Sequence, residues 1–261
     1  MQIIGSGFLS NDGLIESQKI KLQIAPVLRL LTTTIELCQT ALVNAKVDGQ
    51  ETAVDKQQVI ACVLVARILE ICESIVLLSA GGFSVEVTAG IRNFLDAYFI
   101  FGNICRDPEF LETYFNSDLS TRRKLLNVAS KHKCAPFDLV REYATEKVKE
   151  QLATQISDVG ASEFNSYAYA NKIDCAVIYD SMYRIASAAT HSTPRSLEAY
   201  VVEDEHGNVV QLRRHPQVSN IPERLNDLGI FLLNVVGGFS ELFELDYRSE
   251  IETLKMSYSA V

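Results

Sequence analysis

The feature that most constrains this chain is the length of its apolar runs at helical spacing. From about Ile15 to Ala45, Asp55 to Ala80 and Ser84 to Cys105, apolar residues recur every three or four positions. A last run starts near Pro222 and reaches at least Leu245. The punctuation is that of helices: Gly81-Gly82 stops the second run and Asp107-Pro108 the third. Pro26 either kinks the first run or starts a new segment within it. A polar loop, Lys46 to Asp55, contains Asp48-Gly49. Three or four shorter helices are expected between Pro108 and Phe164, then one from about Asn171 to His191, halted by Pro194. Only one stretch alternates as a sheet would. Ala199–Asp204, the turn His206-Gly207-Asn208 and Val209–Arg213 read as a β-hairpin near residues 199–213. A lone hairpin is marginal, so it must pack on the helices or on a partner chain.

The expected architecture is therefore mainly α: a bundle of long antiparallel helices, several shorter ones and one small β-hairpin. With no internal repeat, low-complexity tract or linker, a single domain over residues 1–261 is expected. Its parts are an N-terminal helix and loop (1–54), core helices (55–198), the hairpin (199–215) and a C-terminal helix (220–261).

Composition narrows the function classes. A hydrophobic fraction of 48% excludes a disordered chain, and a net charge of −9 argues against a general nucleic-acid coat. Bulk acidity leaves room for a local basic site. The six cysteines, Cys38, Cys62, Cys72, Cys105, Cys134 and Cys175, form no C-x-x-C pair and mostly sit in apolar helical runs, where a thiol acts as a small core group. The longest apolar stretches fall short of the roughly 18 residues that span a bilayer, and the first ten residues lack a signal-peptide pattern. A cytoplasmic chain without membrane association is expected. No P-loop, G-x-G-x-x-G, H-E-x-x-H or G-x-S-x-G occurs, so no cofactor and no metal is expected.

Two charge patterns stand out. The run Val59–Leu78 is apolar nearly all round yet carries Arg67 and Glu70, and the next helix carries Arg92 and Asp96. Folding the two antiparallel about Gly81-Gly82 puts Arg67 level with Asp96 and Glu70 level with Arg92. Unpaired charges in a core cost several kcal/mol, so cross-helix Arg67–Asp96 and Glu70–Arg92 pairs are expected. Such a cluster is either a register-fixing lattice or, through its two arginines, an anion site.

The second pattern is Asp180, Arg184, Ser187 and His191, spaced four, three and four apart on one helix face. Histidine moves protons near neutral pH, and arginine holds phosphate and the charge that builds on it. Together they suffice for metal-independent RNA cleavage, in which a 2′-hydroxyl attacks its own phosphodiester. The alternative is a solvated face with a histidine at the helix C-terminus. A basic run, Arg122, Arg123 and Lys124 through Lys131 and Lys133, is either a phosphate track for RNA or an ordinary solvated face. Tyr167, Tyr169, Tyr179 and Tyr183 either pack or offer a base-stacking surface.

Arg184-x6-His191, late in a helical chain, resembles the R-x4-6-H motif of the HEPN superfamily (higher eukaryotes and prokaryotes nucleotide-binding). That resemblance implies a metal-independent ribonuclease of toxin–antitoxin or antiphage systems, with Arg184 and His191 catalytic and two motifs facing one cleft in a dimer. The wider pattern is Arg67-x2-Glu70, Gly-Gly-Phe, Arg92-x3-Asp96, Asp107-Pro108-Glu109, Tyr183-x3-Ser187-x3-His191 and the hairpin. It is similar to an uncharacterised bacterial domain family of unknown function, over roughly Val59 to Leu245. On these grounds the expected function is an endoribonuclease with RNA as substrate. Asp180, Tyr183 and Ser187 would support the catalytic pair, and Arg67, Glu70, Arg92 and Asp96 would hold the core beneath. The expected partner is a second copy, or a regulatory or antitoxin protein. The alternative is a non-catalytic helical module that binds a protein or a small anionic ligand. An open basic cleft around Arg184 and His191 would favour the enzyme, and burial of His191 the module.

Overall fold

A computed structural model describes residues 2–47 and 52–260. The Asp48-Gly49 part of the polar loop lies outside the described residues. The chain is mainly α, with one small mixed sheet.

Four long helices form the centre: α2 (Ala25–Asn44), α3 (Ala53–Ala80), α4 (Ser84–Arg106) and α12 (Ile221–Leu242). Each packs on two neighbours in the cycle α2–α3–α4–α12, while the α3–α12 diagonal is slight, so the four close into a bundle. Periodicity explains the closure. The buried side of α12 is Ile221, Leu225, Leu228, Leu232, Val236 and Phe239, at spacings of three and four. On α2 the matching stripe is Val27, Leu31, Thr34, Ile35, Cys38 and Ala41. Pro26 starts a helix: α1 (Asn11–Gln23) ends at Ile24, and the proline sits in the first turn of α2.

The α3–α4 turn fixes the antiparallel register. Gly82 has φ +73°, Phe83 N–H donates to the Leu78 carbonyl at 3.0 Å, and Gly82 N–H donates to Ser79 at 3.0 Å. This left-handed stop satisfies carbonyls that α3 would otherwise leave open. A Cβ on Gly82 would also meet Pro216 at 2.7 Å and Ile20 at 2.8 Å, so three parts of the chain converge there.

Beyond α4 come α5 (Phe110–Lys131), α6 (Asp138–Tyr143) and α7 (Glu146–Asp158), which pack mainly on one another. Then follow α8 (Ser166–Lys172), α9 (Ala176–Ile178), a π-helical turn Tyr179–Tyr183, α10 (Arg184–Thr190) and α11 (Pro194–Leu197). The expected single helix from Asn171 is thus broken at its start. Asp174 takes φ +61°, which ends α8 and re-aims the chain before Ala176. The expected C-terminal helix is also two, α12 and α13 (Arg248–Tyr258), because Glu244 at φ +54° breaks the run.

The hairpin forms where expected, from β2 (Val201–Glu203) and β3 (Val209–Arg213), and its turn is held by Asp204. The Asp204 carboxylate accepts from the backbone of His206 and Asn208, both at 2.9 Å, and these bonds lower its pKa. A third strand, β1 (Gln2–Ile4), pairs parallel to β3 with Gln2 opposite Gln211. The hairpin therefore completes a sheet within its own chain.

Candidate functional site

The four core charges do not pair across helices. Arg67 Nη1 bonds Glu70 Oε2 of its own helix at 2.8 Å, and both side chains are exposed (55% and 71%). Arg92 Nη1 bonds Asp96 Oδ2 one turn on, at 3.2 Å, with 25% and 19% exposed. The levels implied by the turn put these groups at matching heights, but not on facing sides. The helix α3 has an outer stripe, Val59, Val63, Arg67, Glu70 and Leu77, that meets solvent, so it is not buried all round. Neither the lattice nor a four-residue anion pocket forms.

The inner pair belongs to a different cluster. Arg92 Nη2 donates to Tyr183 Oη at 3.1 Å, and Tyr183 Oη donates to Ser166 Oγ at 3.1 Å. Ser166 Oγ donates to Asp96 Oδ1 at 2.7 Å, which closes a ring of four side chains from α4, α8 and the π turn. Burial raises the Tyr183 pKa, so the phenol keeps the proton it donates. Ser166 carried no sequence signal; a lone serine after Asn165 reads only as a helix start.

The ring connects to Arg184 through stacked aromatics. Arg92 lies over the Tyr183 ring (5.4 Å), Tyr183 stacks on Tyr179 (4.6 Å, 17°), and Arg184 lies over Tyr179 (5.7 Å). The π turn creates this ladder, since its wider turn sets two tyrosines four apart almost face to face. Tyr167 meets the edge of Tyr179 at 5.2 Å and is half exposed. Tyr169 is buried between Phe110 and Phe164, so it takes no part in a stacking surface.

Arg184, Ser187 and His191 share one face of α10, with Arg184 and His191 both exposed. Asp180 Oδ1 holds Arg184 Nε at 3.0 Å. His191 is the C-cap residue of α10. The opposite side of the helix buries Ala186. Within one chain Arg184 and His191 are exposed and line neither of the two cavities that flank α10.

The basic run lies elsewhere. Arg122, Arg123, Lys124 and Lys131 are exposed on α5 and Lys133 just beyond it, while α10 packs on α4. Two of its charges are already neutralised, Arg122 by Asp118 at 2.5 Å and Lys124 by Glu163 at 2.7 Å. The run's helix packs on α4, α6 and α7, and α10 packs on α4, the π turn and α11.

Residues 58–208 match a family described as a family of unknown function, DUF5677, and that span is more than half of the chain. The chain belongs to the DUF5677 family. The DUF5677 span holds Arg92, Asp96, Ser166, Tyr183, Arg184 and His191 together, and leaves α2 and α12 outside it. No curated protein and no solved structure matches the chain. Among the described residues no helix is long and apolar enough to cross a membrane, and no group of His, Cys, Asp and Glu could hold a metal ion.

Proposed function

We propose that this DUF5677 chain is a HEPN-like, metal-independent endoribonuclease, acting in the cytoplasm as a toxin or antiphage component. The observation that carries the reading is the joint exposure of Arg184 and His191 on one face of α10, two turns apart. Arg184 is held by a surface carboxylate and an aromatic face, a pairing that a phosphodiester can replace, because an exposed ion pair is worth only about 0–1 kcal/mol.

In the reaction Arg184 binds the scissile phosphate and stabilises the charge of its transition state. His191 takes the proton of the 2′-hydroxyl, the 2′-oxygen–phosphorus bond forms, and the bond to the 5′-oxygen breaks. A second His191, from a copy of the chain across the cleft, returns a proton to the leaving oxygen. The products are a 2′,3′-cyclic phosphate and a 5′-hydroxyl. Asp180 and Ser187 orient the pair, and the Arg92–Asp96–Ser166–Tyr183 ring holds the π turn beneath them. The open face on one chain fits a site completed by a homodimer or by a regulatory partner.

Expression in bacteria tests this. Wild type should arrest growth and fragment RNA, whereas Arg184→Ala and His191→Ala should do neither at equal protein level. Wild type that leaves growth and RNA intact, as a homodimer and with any activating partner supplied, would remove the enzyme. The Arg184–Asp180 pairing gives the second reading its footing: a non-catalytic helical module whose α10 face binds a protein.

A further inference from the structure

The flank of α10 next to the Arg184 face borders a cleft that the ribonuclease reading does not use. It has two connected parts, of about 180 and 390 Å³, that share Thr88, Ile185 and Arg224. Arg224 stands at the junction, partly buried. Its Nη1 donates to the Ser84 carbonyl at 3.0 Å and to Thr88 Oγ1, and Glu223, the residue before it, is the carboxylate that acts on it. Burial lowers its pKa while the neighbouring Glu223 carboxylate raises it, and a guanidinium partly kept from water gains from a further anion within hydrogen-bond reach.

The smaller part is lined to receive one. Arg195 lines it with an exposed side chain, and Ser196 and Ser219 line it too, their hydroxyls donating to the Thr193 carbonyl and to Asn220 Oδ1. Ser84 and Val85 open α4, a 23-residue helix whose first turn no side chain caps. Two arginines and the positive end of that helix face one volume, against one acid, Glu198. The larger part changes character. Ile91, Met182, Ile185 and Phe231 wall it, and Asp227 and Glu223 stand on it. The Asp227 carboxyl is raised by burial and by Glu223, which marks an acceptor kept partly from water.

We infer that this cleft binds a phosphate monoester with an apolar, aromatic-sized body that ends in an ammonium group. The phosphate sits between Arg224 and Arg195, the body lies against Ile185 and Phe231, and the ammonium meets Asp227 and Glu223. The cleft lies outside the catalytic pair, and α12, which supplies Arg224 and Asp227, lies outside the DUF5677 span.

Calorimetry on the full chain with three probes tests it: inorganic phosphate, phenyl phosphate and 4-(2-aminoethyl)phenyl phosphate. Affinity should rise about tenfold at each step, first for the body and again for the amine. Arg195→Ala, an exposed position that leaves the fold intact, should weaken all three about tenfold. Arg224→Gln should do so more strongly, with circular dichroism reporting whether it folds. Asp227→Asn should remove only the gain from the amine. Arg184→Ala should bind as wild type does, which separates this cleft from the RNA site. No saturable binding of phenyl phosphate, or binding that Arg195→Ala leaves unchanged, would overturn the site. Equal affinity for the two aryl phosphates would overturn the ammonium end.

Discussion

Arg92 and Arg67 show how much depends on which side of a helix a charge occupies. Both have a carboxylate within one turn, yet one pair stands in solvent and the other lies in a ring with Tyr183 and Ser166. Removing one partner of a screened pair costs little, whereas removing Asp96 leaves a guanidinium three-quarters out of water. Glu70→Ala should therefore change stability by less than about 0.5 kcal/mol, and Asp96→Ala should cost about 3 kcal/mol in urea denaturation. Equal losses would contradict the ring. Tyr183→Phe should cost about 1–2 kcal/mol, since it removes a donor and an acceptor but keeps the stack on Tyr179. The charges themselves were legible in the sequence. Their pairing was not, because a count from the turn gives heights along a helix and says nothing of rotation about its axis.

At the scale of elements, the long helices followed directly from their apolar spacing, and so did the stop at Gly81-Gly82. The breaks at Asp174 and Glu244 were hidden, because non-glycine residues with positive φ carry no compositional mark. Neither did the π turn, which rests on contacts of Tyr179 and Tyr183 made only in the folded chain. The strand β1 was invisible for another reason: three residues are too short for a period. The helix α13 is seated by buried Ile251 and by one close approach. Tyr258 packs against the bare backbone of Gly229 in α12, and its hydroxyl meets Thr34 Oγ1 at 2.8 Å. A methyl group at Gly229 has no room beside that ring. Gly229→Ala should cost about 2–3 kcal/mol by overpacking, read as a lower urea midpoint. Proteolysis should then cut first within α13. A variant as stable as wild type would mean that α13 is not seated there.

Over the whole molecule, the buried thiols and phenols set an alkaline limit. Burial pushes Cys38 and Cys105 from 9.0 up to about 12, and Tyr98 and Tyr258 from 10.0 to about 12. The unfolded chain ionises these groups first, so their contribution is intact below pH 9 and is lost as pH rises towards 12. Stability in urea should fall steadily above pH 9, by a few kcal/mol in all. Cys38→Ala with Cys105→Ala should flatten that slope; an unchanged slope would show that the thiols do not govern it. Function at this scale rests on where the chain leaves its charges. A net charge of −9 coexists with an α10 face on which Arg184 and His191 are both exposed. The most direct test is incubation of the purified chain with end-labelled RNA in EDTA, scoring the new termini. Wild type should yield fragments with 2′,3′-cyclic phosphate ends, and His191→Ala should lose at least about a hundredfold in rate. Intact RNA, or cleavage that His191→Ala leaves unchanged, would contradict the account.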